Sequence, residues 1–218
     1  FPTRRSSDLW AAWSSCKEGE RNVRETKQTN KKEKEKNLQT NITKKQAEAV
    51  AAGAQAAGAI VSLISVAEMQ ETDWATLEAA DAIIFGAPTY MGNVSGVFKV
   101  FADATSKPWF TQKWKNKIAA GFTNSASING DKYASIQYLW TLAMQHSMIW
   151  VGTGLMPANS KAATRNDINY LGSFGGALAQ SPSDSSPDEG PLAGDLETAK
   201  LFGARVVETT AQFVKGRT

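Results

Sequence analysis

Two short stretches hold the residue types that could handle a flat, electron-rich ligand. Gly86-Ala87-Pro88-Thr89-Tyr90-Met91-Gly92-Asn93 follows the apolar run Ala82–Phe85, and Thr123-Asn124-Ser125-Ala126-Ser127-Ile128-Asn129-Gly130 follows Lys117–Phe122. In the first, small residues allow a tight turn, Pro88 fixes one dihedral, and the peptide N–H groups of Thr89 to Asn93 could face a ring edge while Tyr90 stacks on it. The second offers hydroxyl and N–H donors without charge, which suits a neutral heteroaromatic. The same composition also serves ordinary strand-to-helix turns, and spacing alone leaves both readings open. Acid–base machinery is thin: there is one histidine, His146, and one cysteine, Cys16, so neither an internal disulfide nor a metal-ligand cluster is expected.

The elements that must position these stretches follow from the pattern around them. Thr43–Ala59 is rich in helix formers, with Ala47, Val50, Ala51 and Ala54 at helical spacing, Thr43 as a candidate cap and Gly58 as a stop. The β-branched run from Ile60 ("IVSLISV") reads as a strand, and the segment from Trp74 as a short helix. Ala82–Phe85 reads as a strand stopping at Gly86, Val94–Thr105 as a helix, and Lys117–Thr123 as a strand. Lys132–His146 reads as a long helix, Met148–Gly154 as a strand, and Leu196–Lys215 as a closing helix. Helices alternating with short, continuously apolar strands predict an α/β fold, a doubly wound parallel sheet. Ligands in such sheets sit outside the carboxyl ends of the strands, which is where both stretches fall.

The 218 residues and 42% apolar content suit one compact domain. No apolar run approaches the length of a membrane span and no signal peptide is visible, so a cytoplasmic protein without membrane insertion is expected. Charge is uneven: residues 1–46 carry 12 basic against 6 acidic side chains, and the remainder 12 against 15. The run Lys31–Lys36 ("KKEKEK") lacks an apolar period and reads as a solvated, disordered segment, not a nucleic-acid patch. Phe1–Leu9 resembles the translation of a short-read sequencing adapter, so residues 1–42 are expected to be an artefactual or disordered extension of a domain spanning 43–218.

The stretches "DAIIFGAPTYMGNVSGVFKVFADAT", "KIAAGFTNSAS", "TLAMQHSMIWVG" and "PDEGPLAGDLETAKLFGARVVE" resemble the flavodoxin-fold NAD(P)H:quinone oxidoreductases of the tryptophan-repressor-binding-protein (WrbA-like) type. The resemblance implies a flavodoxin-like three-layer sandwich that binds FMN, oxidises NAD(P)H, passes two electrons to a quinone, and assembles as a homodimer or homotetramer. It further implies that Pro88, Thr89, Tyr90, Met91, Gly92 and Asn93 bind the isoalloxazine ring and that Thr123, Asn124, Ser125, Ala126 and Ser127 form the third flavin loop. Trp109 occupies the place of an aromatic lining the quinone pocket, with a core role as the open alternative. Gln145 and His146 stand where the family often has a His-His pair near the flavin, and a lone histidine at a helix end more often caps or packs. The Gly-rich segment from Asn166 to Asp184 resembles the family's lid. The chain departs from the family at the phosphate loop. There "LQTNITKKQ" leaves only Thr40, Asn41 and Thr43 as donors, and the preceding residues are polar, so the first strand and the phosphate loop read as missing or degraded. An electron carrier of flavodoxin type, or a fold without bound flavin, are the alternative functions.

Overall fold

The computed structural model describes the backbone of residues 27–216 and the side chains of residues 42–216. Its sheet is built on two adjacent parallel strands, β1 (Ala82–Tyr90) and β3 (Ile118–Ser125), in register from Ala82 opposite Ile118 to Pro88 opposite Asn124. The hairpin strand β2 (Asn93–Val94) returns antiparallel on the far edge of β1. On the far edge of β3 lie two short parallel strands, β4 (Ile149–Trp150) beside its start and β5 (Ala177–Gln180) beside its end. They act as one strand interrupted by the excursion 151–176. The expected strand Met148–Gly154 is thus shortened to two residues.

Both faces of the central strands are apolar because both are covered. Ile83, Phe85 and Ala87 point into a cluster with Leu77, Phe98, Phe101, Trp114 and Leu139. These come from α2 (Glu71–Ala79), α3 (Gly96–Ala104), α5 (Lys132–Gln145) and the turns between. Ile118, Ala120 and Phe122 point the other way, onto Ala47 and Val50 of α1 (Lys27–Ala56) and Phe202 and Val206 of α6 (Ala193–Lys215). A five-residue helix, α4 (Ser106–Phe110), follows α3. The result is the three-layer doubly wound sandwich that the alternation of elements predicts.

Close backbone approach sets the α1–α6 contact. A Cβ on Gly203 would lie 2.1 Å from the Val50 carbonyl oxygen, and one on Gly53 would lie 1.8 Å from that of Lys200. Neither helix could sit where it does with alanine at these crossings. α1 ends as its sequence dictates, with Gly58 at φ +93° and Ala59 N–H donating to the Ala54 carbonyl at 3.1 Å.

Several expectations are corrected. The helix α1 begins at Lys27, so the Lys/Glu run 31–36 is helical and not disordered, and the boundary at 42/43 falls inside a helix. Lys, Glu and Gln are strong helix formers, and extending an anchored helix needs no apolar face. Residues 1–26, including the adapter-like stretch, lie outside the described residues. Thr43 is buried in the helix interior and does not cap it. The run Ile60–Val66 forms no strand: Ile60 is fully exposed, Ile64 and Val66 are buried, and Leu63 packs on both apolar clusters, which places it at the sheet edge. A strand exists only through a partner, and in the 2-1-3-4-5 order the second strand's partner is the first, which no described residues supply. Finally, β1 does not stop at Gly86. It runs on to Tyr90, and Gly86 leaves room for the Phe122 ring, whose Cζ would lie 2.1 Å from a Cβ there.

Candidate cofactor site

At the carboxyl end of β1 the chain reverses in two residues. Tyr90 pairs with Asn93, and Met91 (φ +49°) and Gly92 (φ +77°) both lie in the left-handed region, the turn whose twist matches a hairpin. Met91 stands fully exposed at the tip, while Asn93 Oδ1 accepts from Val94 N–H at 2.7 Å. Ser95 then caps α3. Pro88 and Thr89 belong to the strand and not to the loop. The buried Thr89 hydroxyl bonds to Thr123 Oγ1 at 2.8 Å and Ser135 Oγ at 2.7 Å, tying β1, β3 and α5 together.

The second stretch also divides differently from its sequence reading. Thr123, Asn124 and Ser125 are buried inside β3, and their side chains serve the scaffold: Thr123 bonds Thr89, Asn124 Oδ1 accepts from Ser181 Oγ at 3.3 Å, and Ser125 Oγ donates to the Ser127 carbonyl at 3.0 Å. Only Ala126 and Ser127 of the five reach the exposed loop, which continues through Gly130. This loop is held from behind. Gln180 Nε2 donates to the Ala126 carbonyl at 2.6 Å, and Lys132 Nζ donates to the carbonyls of Ser127 (2.7 Å), Ile128 (2.6 Å) and Asn129 (3.3 Å). Gly130, at φ +55°, sits so close to Ser125 that a Cβ would meet its hydroxyl at 2.1 Å. Asp131 approaches the Gly92 turn, so the hairpin and the loop are neighbours.

The excursion after β4 closes against the same end of the sheet and is ordered by polar contacts rather than lying as a plain loop. Asn169 Nδ2 donates to the carbonyls of Leu155 (2.9 Å) and Ser173 (3.1 Å), and its Oδ1 accepts from Ser173 N–H at 3.0 Å. The Arg165 guanidinium makes two bonds of 2.7 and 2.6 Å to the buried Asp195 carboxylate, which also accepts from Gln180 N–H at 2.9 Å. Lys132, Ser135, Arg165 and Asp195 were not singled out in the sequence, while Asn169 and Gln180 fall inside the segment 166–184 expected as a lid and Lys132 opens the helix expected at 132–146.

Two expected site residues lie elsewhere. His146 follows α5, whose 14 residues carry it about 20 Å from the loops, toward the amino ends of the strands. It cannot touch a ring on the loops of its own chain. Its Nε2 bonds Thr105 Oγ1 at 2.8 Å, its ring packs on Trp114 at 4.4 Å, and burial pushes its pKa down to about 4, so it is neutral near pH 7. Trp109, 43% exposed and so not a core residue, joins His146, Gln145 and Tyr138 around a cleft of about 390 Å³ at that same end.

The phosphate donors are corrected as well. Thr40, Asn41 and Thr43 lie mid-helix in α1, where backbone N–H groups are committed to the helix ladder, so they form no helix N-terminus for a phosphate. The residues present fit the ring of a flavin, through the hairpin tip and the loop 126–130. They do not fit its phosphate at 40–43.

The model of a family described as NADPH-dependent FMN reductase matches residues 37–162. The chain belongs to this family. It is 52% identical over 170 residues to flavodoxin FldP of Pseudomonas aeruginosa, covering 78% of this chain and 91% of that one. It is 33% identical over 188 residues to an NAD(P)H dehydrogenase (quinone) of Paracoccus denitrificans, covering 78% and 89%. Among solved structures, a WrbA-like flavodoxin from Agrobacterium tumefaciens matches with a TM-score of 0.56 and 45% identity over 78% of this chain and 90% of its own. An archaeal flavodoxin at 18% identity and TM-score 0.54 supports the fold alone. The family agrees with FMN as cofactor and NAD(P)H as co-substrate and bears out the WrbA-like resemblance. No helix among the described residues is long and apolar enough to cross a membrane.

Proposed function

We propose that this chain is an FMN-dependent NAD(P)H:quinone oxidoreductase, with FMN seated at the carboxyl ends of β1 and β3. The observation that carries the reading is the pairing of the Met91–Gly92 hairpin tip with the uncharged, braced loop 126–130 at the edge where a doubly wound sheet takes its ligand. When bound, the flavin supplies the hydride and electron chemistry, and the protein supplies orientation and water exclusion. Tyr90, Met91, Gly92, Asn93, Ala126 and Ser127 would contact the ring. Pro88, Thr89, Thr123, Asn124 and Ser125 would hold those residues in place. A quinone would stack on the exposed ring face after the nicotinamide leaves. Because Trp109 lies beside His146 at the opposite end of the sheet from the loops of its own chain, its part in a quinone pocket requires a second subunit, in keeping with a homodimer or homotetramer. A cytoplasmic location suits NAD(P)H.

Flavodoxin FldP, at 52% identity, favours a second reading, an electron carrier that does not itself oxidise NAD(P)H. Adding FMN to the purified protein and following NADH or NADPH absorbance at 340 nm, with and without a benzoquinone, separates the two. Quinone-dependent oxidation is expected. Flavin binding without any nicotinamide oxidation would establish the carrier instead.

A further inference from the structure

Lys132 is a buried cation that, among the described residues, has no carboxylate in hydrogen-bond contact. Its side chain is 1% exposed, and its Nζ is bonded to three successive carbonyls, those of Ser127, Ile128 and Asn129. A buried ammonium is costly unless its protons are hydrogen-bonded, and here three carbonyls receive them. Peptide planes are trans, so a carbonyl pointing one way sends the N–H of the same plane the other way. With the carbonyls of 127, 128 and 129 gathered on Nζ, the N–H groups of Ile128, Asn129 and Gly130 face the outer side of the loop.

We propose that Lys132 is a positioning residue for the flavin: its ammonium braces the loop Ser127–Gly130 from behind, turns these three N–H groups toward the carbonyl-bearing edge of the ring, and places one positive charge beneath it. This rests on the flavin reading above. Three ammonium protons match three carbonyls. A neutral amine would offer two protons and turn its lone pair on the third carbonyl, so the brace is complete only while Lys132 is protonated. The charged groups around it are Asp195, at the start of α6, Arg165, which is paired with that carboxylate, and Asp131, next to it in the chain. Burial is the largest influence on its pKa and brings it down to about 8.

The test uses the whole chain. Carbonyl ¹³C shifts of Ser127, Ile128 and Asn129 are followed without ligand from pH 6.5 to 9.5, and FMN is titrated into wild type and Lys132→Met over the same range. The expectation is that the three shifts move together with a midpoint near 8. Wild-type affinity should fall as pH rises through that point. Lys132→Met should bind FMN about 10- to 100-fold more weakly at pH 7, the scale of one charge-assisted hydrogen bond, and lose the pH dependence. Shifts that stay flat, or equal FMN affinities in wild type and variant, would overturn the role of Lys132 while leaving the flavin reading intact. Shifts that titrate in a wild type that binds no FMN would overturn the flavin reading, and the proposal with it. If the variant fails to fold, the wild-type pH series decides alone: FMN affinity that holds constant through pH 8 contradicts the proposal.

Discussion

At the scale of single residues, the chemistry-bearing side chains divide into those that face a ligand and those that build the platform. His146 shows why type alone misleads: an imidazole in a protein with one histidine invites a catalytic role, yet here it is buried against Trp114 and bonded to Thr105. Its folded pKa, about 4, lies below the ordinary value of 6.5. It therefore contributes stability that is fully present above pH 6.5 and is lost as pH falls toward 4, up to about 3 kcal/mol for a shift of this size. Thermal melts should show wild type losing this stability between pH 6.5 and 4, while His146→Gln keeps a flatter profile. Parallel profiles would mean that the histidine is free to titrate in the folded state. Trp109 is the converse case. Because it is 43% exposed, Trp109→Ala should cost under about 1 kcal/mol of stability while raising the apparent KM for quinone. A stability loss of about 3 kcal/mol or more would mark a core residue.

Among the elements, those with their own periodicity and stop signals were legible: α2, α3, α5 and α6 fall within a few residues of their sequence expectations, and Gly58 ends α1 as expected. What could not be read was whatever depends on a distant partner. Ile60–Val66 has strand composition and no strand to pair with, and β1 and β3 run several residues into supposed loops because each pairs along the other to Pro88 and Asn124. Six of the eleven residues expected at the flavin are thereby strand residues, whereas the lysine that gathers the loop carbonyls lies only three to five residues along the chain from them and was missed because residue type alone does not mark it. Gly53 and Gly203 were likewise silent in sequence, although they set the α1–α6 distance. Gly203→Ala should destabilise the fold by about 1–3 kcal/mol in urea unfolding, the usual cost of overpacking, and an unchanged midpoint would show that the helices can separate without loss. Phe98→Ala should cost about 3–5 kcal/mol, because Phe98 is fully buried and touches Phe85, Phe101 and Tyr138 edge-on.

For the whole molecule, the ring platform proposed at the carboxyl ends of β1 and β3 sits in a chain whose helix α1 runs straight through the place where the resemblance expects a phosphate loop. A bound phosphate dianion gains several charge-assisted bonds of about 1.5–3 kcal/mol each, so losing about three of them costs on the order of 10³- to 10⁶-fold in Kd. In the proposed site the ring loops alone would then carry the affinity, with the phosphate adding little. Titrating FMN and riboflavin separately into the same protein at pH 7, and following the quenching of flavin fluorescence, tests this directly. Saturable binding of both, with Kd values within about tenfold of each other, is the predicted result. No binding of either would remove the flavin site. FMN binding about 10³-fold or more tighter than riboflavin would show that a working phosphate site exists elsewhere in the chain, contradicting a site carried by the ring loops alone.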